Sequence, residues 1–158
     1  MGFTVEQIDE QCDQLFGEVP PIQFIPRQNR ELDMKMQQVL QAGNVRIPIV
    51  HVGDASMNIS RANLYLVGSQ RITINIQRDK VMCRVGGGYE EFGEYLLRNH
   101  RQEERKLVVL MIKTQESLEW VVSALIAGRK QIRNVLKENN EAAQKELKKS
   151  KSATRHWR

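Results

Sequence analysis

The chain of 158 residues has only two cysteines, Cys12 and Cys83. Two such distant cysteines form no disulfide framework, and neither has a neighbour at zinc-ligand spacing, so they indicate a reducing compartment. Long apolar runs are also absent, since none approaches the roughly 18 residues of a membrane-spanning helix. The sequence therefore excludes a disulfide-rich secreted domain, and we expect no membrane association.

Catalytic signatures are missing as well. The histidines, His51, His100 and His156, are far apart, and no nucleophile has a base in a recognisable context. Gly86–Gly88 follow a predicted strand, as phosphate-binding loops do, but neither Lys-Ser/Thr nor the dinucleotide-binding spacing accompanies them. We therefore expect no enzyme, no metal and no cofactor.

The positive charge is concentrated at one end of the chain. There are 24 Lys+Arg against 19 Asp+Glu, and residues 145–158 contain six basic residues and one acid. Without them, residues 1–144 have 18 basic and 18 acidic side chains. This pattern favours a neutral globule with a basic tail, residues 141–158, that can meet an acidic polymer or surface.

Residues 1–28 contain three prolines within seven positions, Pro20, Pro21 and Pro26. Prolines at this density forbid a continuous helix and favour an extended path. We interpret residues 1–28 as an extended arm that lies on its own globule or on a partner.

Residues 29–102 combine helix and strand signals. A helix is expected between Asn29, which can cap it, and Gly43-Asn44, which can end it. Short strands are expected over 45–52, 63–67, 71–77 and 81–85. Their connections are too short for crossover helices, so we predict an antiparallel meander. A helix should follow the three glycines and bend at residues 98–101.

Apolar residues recur in alternating steps of four and three from Leu107 to Val135. This period predicts one amphipathic helix over 103–140, about 35 residues long. So small a sheet cannot cover such a helix everywhere. Part of its apolar face is therefore expected to bind a partner.

Basic residues also gather around the predicted hairpin of strands 71–77 and 81–85, namely Arg71, Arg78, Lys80 and Arg84. They can form one positive face, or they can be charges interspersed on a solvated sheet. The tail adds Lys148, Lys149, Lys151, Arg155 and Arg158. These either bind an acidic surface by counterion release or only keep the chain in solution.

The sequence around the glycines resembles a known family signature. It reads Val81-Met82-Cys83-Arg84-Val85-Gly86-Gly87-Gly88-Tyr89, then Phe92 and Tyr95-Leu96-Leu97-Arg98-Asn99. The growth-arrest-specific-related (GAR) domain has Val-Met-Val-Arg-Val-Gly-Gly-Gly-Trp, then an aromatic-Leu helix ending in Lys-Asn. Upstream, Tyr65–Gln70 is similar to the family's Tyr-x-x-Gly-Asp segment, with Ser69 in the Asp place. The positions that carry the resemblance are Tyr65, Gly68, Arg84, Gly86, Gly87, Gly88 and Tyr89.

The resemblance implies a small α+β domain that binds microtubules in spectraplakins and related linkers. It would give the basic hairpin and tail an acidic partner, tubulin with its glutamate-rich C-terminal tails. Family members often have a zinc site, with Cys-x-Cys before the first strands and Asp-Pro-Cys after the helix. Here these places read Ala42-Gly43-Asn44-Val45 and His100-Arg101-Gln102, so we expect no zinc.

We therefore predict an α+β protein with four regions: an arm (1–28), a GAR-like domain of a small antiparallel sheet with packed helices (29–102), a long C-terminal helix (103–140) and a basic tail (141–158). It would be a structural protein of the cytoplasm and cytoskeleton that binds the microtubule lattice. Other microtubule-associated proteins would bind through helix 103–140. Analogy with small proteins of axonemal doublet microtubules adds the cilium or flagellum as a location.

Two alternatives stay open. One is a nucleic-acid-binding module, which the sequence disfavours because Tyr65 is the only aromatic residue in the predicted strands, leaving little for bases to stack on. The other is an adaptor that dimerises through a coiled coil over 103–140.

Overall fold

The computed structural model describes residues 3–17, 21–53, 63–130 and 132–138. The chain divides into two units, Met1–Val109 and Leu110–Arg158. The predicted α+β class and antiparallel sheet are confirmed, whereas several helix boundaries differ from the prediction.

A five-stranded antiparallel sheet forms the centre of the first unit, with its strands in sequence order. The strands are β1 (Ile49–His51), β2 (Leu64–Val67), β3 (Gln70–Gln77), β4 (Lys80–Val85) and β5 (Gly88–Glu91). Three consecutive hairpins join β2 to β5, and each has a two-residue turn. Such short connections allow only antiparallel neighbours, so the meander follows from turn length.

The tight turns require backbone conformations with positive φ. Gly68 and Gly86 supply them at φ 62° and 63°. In the β3–β4 turn, Arg78 and Asp79 both adopt positive φ, at 52° and 65°. Two consecutive positive φ values are the pattern of a type I′ turn, whose twist matches that of the paired strands.

The core lies between one face of the sheet and two helices, α2 (Glu31–Gly43) and α3 (Phe92–Thr114). Because side chains alternate along a strand, β3 sends Ile72 and Ile74 to this face, and its neighbours follow the same alternation. The buried cluster comprises Met36, Ile47, Ile49, Tyr65, Val67, Ile72, Ile74, Val81, Cys83, Phe92, Tyr95 and Leu96. We call the opposite side of the sheet the outer face.

The N-terminal segment is not extended throughout, in contrast to the prediction for residues 1–28. Val5–Phe16 form helix α1, and Thr4 caps it in a capping box with Gln7. Cys12 and Phe16 are fully buried. Pro21 and Pro26 follow this helix in residues that form neither helix nor strand, while capping and burial stabilise the helix before them.

The second unit contains two breaks where one long helix was predicted, and the prediction of a continuous helix over 103–140 is wrong. Helix α3 ends at Thr114, where Gln115 takes φ 57°. Ser117 then caps α4 (Leu118–Ala127), and Gly128 at φ 66° ends it. Residues 132–138 are helical again. The apolar period continued through both breaks because each short helix buries its own apolar face.

Two other boundaries differ near the glycines. Gly86–Gly87 form a hairpin turn, and Tyr89 lies in β5, so the helix begins only at Phe92. That helix continues through residues 98–101, where a break or bend was expected, because no glycine or proline interrupts it there. At α2, Asn29 adopts φ 61° and Arg30 takes the N-cap position. Among the described residues, no helix has the length and apolar content to cross a membrane.

Two glycines of similar φ permit a matched stability test. A Cβ at Gly68 would lie 2.8 Å from Glu103 Oε2 and 2.9 Å from its Cβ, whereas a Cβ at Gly86 would meet nothing within 4 Å. We expect Gly86→Ala to cost about 1 kcal/mol, the conformational penalty alone. Gly68→Ala should cost about 3 kcal/mol or more because Glu103 is buried and cannot move away freely. Urea unfolding measures both, and equal losses would contradict the close packing at Gly68.

Candidate functional site

The solvent exposure of the outer face of the sheet increases from β2 to β5. On β2, Leu66 is fully buried although it points away from the core cluster. On β3 and β4, Arg71 and Arg84 are exposed, and Tyr89 of β5 is 48% exposed. The part of the outer face that is open to solvent is therefore formed by β3, β4 and β5.

Strand register brings two of the predicted basic residues together. Arg84 pairs with Tyr89, and Ile74 pairs with Cys83. One step further in the same register places Thr73 opposite Arg84, so Arg71 is its diagonal neighbour on the same face. Arg84 and Tyr89 are thus cross-strand neighbours on the outer face, and both are exposed.

The other two predicted basic residues lie at the far end of the hairpin. Lys80 is on the outer face opposite Gln77, and Arg78 is in the turn. Between them, Asp79 accepts a 2.8 Å hydrogen bond from Lys35 of α2, which holds the pKa of that carboxyl below its ordinary value. Within the described part of the chain, Arg78, Lys80 and Arg84 make no ion pair. Their charge is therefore available to a partner.

The four basic residues predicted at the hairpin thus lie in two places. Arg71, Lys80 and Arg84 share the outer face, while Arg78 is at the tip of the hairpin. The predicted tail residues, Lys148, Lys149, Lys151, Arg155 and Arg158, lie outside the described residues.

Gly68 and Ser69 form a contact that the sequence did not predict. Glu103 of α3 is 2% exposed, and its Oε2 accepts bonds from the Ser69 amide at 2.9 Å and the Ser69 hydroxyl at 2.6 Å. Lys106 approaches the other oxygen at 3.4 Å. Ser69, in the place of the family's Asp, therefore acts as a neutral double donor to a buried carboxylate.

Tyr65 anchors a second buried carboxylate, Asp33 of α2. Its hydroxyl donates to Asp33 Oδ1 and accepts from Arg27 at 3.0 Å. Arg27 also donates to Asp33 from its backbone amide at 2.8 Å and its Nε at 2.9 Å. Burial alone would raise the pKa of Asp33, but the hydrogen bonds from Arg27 and Tyr65 outweigh it and lower that pKa. This Arg27–Asp33–Tyr65 cluster joins three parts of the chain: the proline segment (residues 21–27), α2 and the sheet.

A third buried carboxylate, Glu104, attaches α1. Arg46 donates to both Glu104 oxygens, at 2.7 and 3.1 Å, and also to Asp13 of α1 at 3.1 Å. Arg105 of α3 binds Asp9 at 2.6 Å. The N-terminal helix therefore lies on its own unit, one of the two options that the sequence left open.

The sequence contained a signal for these three carboxylates. Asp33 lies three residues before the buried Met36, and Glu103 and Glu104 lie four residues before the buried Leu107 and Val108. An acid at that spacing shares the apolar face of its helix. Such a carboxylate needs hydrogen-bond donors beside it, and here each of the three has them.

The thiols and histidines form no reactive arrangement. Burial raises the pKa of Cys12 to about 11 and that of Cys83 to about 12, so both are protonated at neutral pH and act as core residues. In the described ranges, no three His, Cys, Asp or Glu side chains cluster as a metal ion would require. The absence of zinc stays a prediction, which metal analysis of the purified protein can test.

Comparison with known proteins gives a family match for part of the chain. Residues 49–103 match the family model of the Growth-Arrest-Specific Protein 2 Domain, which confirms the resemblance drawn from the glycine signature. The matched segment contains the whole sheet and the first half of α3. This family is a cytoskeletal, microtubule-associated type of binding domain and not an enzyme family. Neither the curated proteins nor the solved structures yield a match.

The Arg27–Asp33–Tyr65 cluster makes a stability prediction. Tyr65→Phe removes one donor from the buried Asp33 carboxylate, so we expect a loss of about 1–3 kcal/mol at pH 7 by urea unfolding. A carboxyl whose pKa is lowered on folding stabilises the fold above its unfolded pKa of about 3.9, and that stability is lost as the pH falls through the folded pKa. The loss should therefore shrink towards pH 3.

Tyr89→Phe is the matched control, because Tyr89 is 48% exposed and makes no hydrogen bond within the described residues. We expect its free energy of unfolding to change by less than about 0.5 kcal/mol at either pH. Equal losses in the two variants would show that the Tyr65 hydroxyl does not stabilise Asp33.

Proposed function

We propose that this chain, whose residues 49–103 match the growth-arrest-specific protein 2 domain, is a structural protein that binds microtubules through the outer face of its sheet. The family match carries the proposal, because it assigns the sheet to a microtubule-associated type of domain. Arg84 and Lys80 support the choice of face, since both are exposed and unpaired within the described residues.

The partner in this proposal is tubulin. Its surface and its glutamate-rich C-terminal tails are acidic, and an exposed set of cations on a neutral body complements them. Arg71, Arg78, Lys80 and Arg84 are the proposed contacts of the folded domain. The tail residues Lys148, Lys149, Lys151, Arg155 and Arg158 add further attraction to the same acidic surface.

The regions of the chain have corresponding roles in this proposal. The GAR-like domain, 29–102, provides the lattice contact, and the tail, 141–158, provides charge. Helix α1, held by Arg46 and Arg105, belongs to the folded body and is not an arm that reaches a neighbour. We place the protein in the cytoplasm on the cytoskeleton, and by analogy on the axonemal doublets of cilia or flagella.

Nucleic acid is the second candidate, and one observation favours it. Tyr89 lies in β5, exposed, opposite Arg84, whereas the sequence predicted Tyr65 as the only aromatic residue on a strand. An exposed ring on a sheet that also carries cations can stack a base. The coiled-coil adaptor loses its basis, because the helix that would dimerise is broken at Gln115 and Gly128.

Co-sedimentation tests the proposal with matched charge reversals. Arg84→Glu should weaken binding to stabilised microtubules about five- to tenfold, because it turns one attraction into a repulsion. Arg30→Glu is the control, since Arg30 is also exposed and has no ion pair within the described residues; its binding should change less than twofold. Equal losses would indicate a response to net charge alone.

The hairpin tip is tested separately with Arg78→Glu combined with Lys80→Glu. We expect weaker binding with an unchanged melting temperature, because both side chains are exposed. Unchanged affinity would exclude the tip as a contact. Tight binding to single-stranded RNA without binding to microtubules at low salt would sink the primary proposal.

A further inference from the structure

Three basic residues form a stripe along the last described helix of the second unit. Lys130, Arg133 and Lys137 are spaced three and four residues apart, so they share one face of that helix. The Arg133 amide donates to the Arg129 carbonyl at 3.2 Å, which places the first of them within the same helical turn. We call this set the cationic stripe.

The buried residue of this helix determines which way the stripe points. Ile132 is fully buried, and at 100° per residue the three basic positions lie well away from it. All three are exposed. The helix is therefore held by its apolar side, and the stripe is directed to solvent.

The charge of the stripe is uncompensated within the described residues. No carboxylate pairs with Lys130, Arg133 or Lys137 there. Arg129 differs from them, because its guanidinium lies over the Trp120 ring, 5.7 Å from the centroid. Three neighbouring cations repel one another by a few tenths of a kcal/mol per pair, a cost that an anionic ligand would remove.

The chemistry of the second unit favours an acidic polypeptide over other polyanions. Its aromatic residue among those described, Trp120, is partly buried and covered by Arg129, so no open ring is available to stack a base. The exposed large apolar residues of the described chain all lie at or before position 97, so this helix has no apolar face to insert into a bilayer. Only charge and its spacing remain for recognition.

We propose that the cationic stripe binds a glutamate-rich polypeptide segment, and that this segment is the acidic tail of tubulin. The stripe offers about one cation per helical turn over two turns, a spacing that carboxylates at alternate positions of an extended chain can follow. The identity of the tail rests on the proposed function; the preference for an acidic polypeptide does not. The stripe lies outside residues 49–103, so the family domain does not account for it.

The test is binding of the full chain to fluorescent poly-L-glutamate at low salt. The variant Lys130→Glu/Arg133→Glu/Lys137→Glu should lose about tenfold in affinity or more. The matched single reversals are Arg133→Glu and, as the control, Arg30→Glu, since both arginines are exposed and have no ion pair within the described residues; the control should lose clearly less. Equal losses, or no loss in the stripe variant, would overturn the inference.

A second variant tests whether the loss of affinity comes from unfolding of the helix. Lys130→Gln/Arg133→Gln/Lys137→Gln keeps good helix formers and adds no repulsion, so it should show an intermediate loss with unchanged helical circular dichroism. Competition experiments identify the class of ligand. Unlabelled poly-L-glutamate should displace the fluorescent polymer more effectively than RNA or anionic vesicles do. Preferential displacement by homopolymeric RNA or by anionic phospholipid vesicles would overturn the assignment.

Microtubules with and without their acidic tails separate this inference from the proposed function. The stripe variant should bind intact microtubules more weakly than the wild type, and the two should bind tail-cleaved microtubules equally. A deficit that persists after cleavage would show that the stripe contacts something other than the tails. If the wild type binds no microtubules but still binds poly-L-glutamate through the stripe, the proposed function fails while the preference for acidic polypeptides stands.

Discussion

The first unit depends on the pairing of three carboxylates that are almost fully removed from water. Burial of a carboxylate costs free energy unless hydrogen-bond donors surround it. Removal of one donor therefore destabilises the fold. Asp33, Glu103 and Glu104 each bind a different part of the chain: the proline segment, the β2–β3 turn, and Arg46 with α1. Apolar contact gives the unit its core, while these three groups fix which segments meet.

None of these three carboxylates binds the exposed residues that β4 and β5 present on the outer face. The signature positions separate into two kinds, since Tyr65 and Gly68 are buried contacts, whereas Arg84 and Tyr89 are exposed on β4 and β5. A family signature read from sequence mixes the two, and only burial separates positions that maintain the fold from positions that can meet a partner.

Much of the sheet was predictable because its signals are local. Alternation in 71–77 and the two-residue turns determined the meander, and Asn44 ended α2 as its neighbours suggested. The long helix was not predictable from its period, because Gln115 breaks it without a glycine or proline and the apolar phase resumes after Ser117. The partners of Asp33 and Glu104 are distant in sequence, and no local pattern predicts them.

The Arg27–Asp33–Tyr65 cluster also bears on what the folding unit is. Residues 49–103 include Tyr65, Glu103 and the whole sheet but omit Asp33 and Arg27, along with Met36 and Ile47 of the core. Cut to that segment, the chain would expose one side of its core and leave the Tyr65 hydroxyl without its acceptor. The matched segment is therefore smaller than the packed unit, because residues that precede it supply part of the core and the partners of Tyr65.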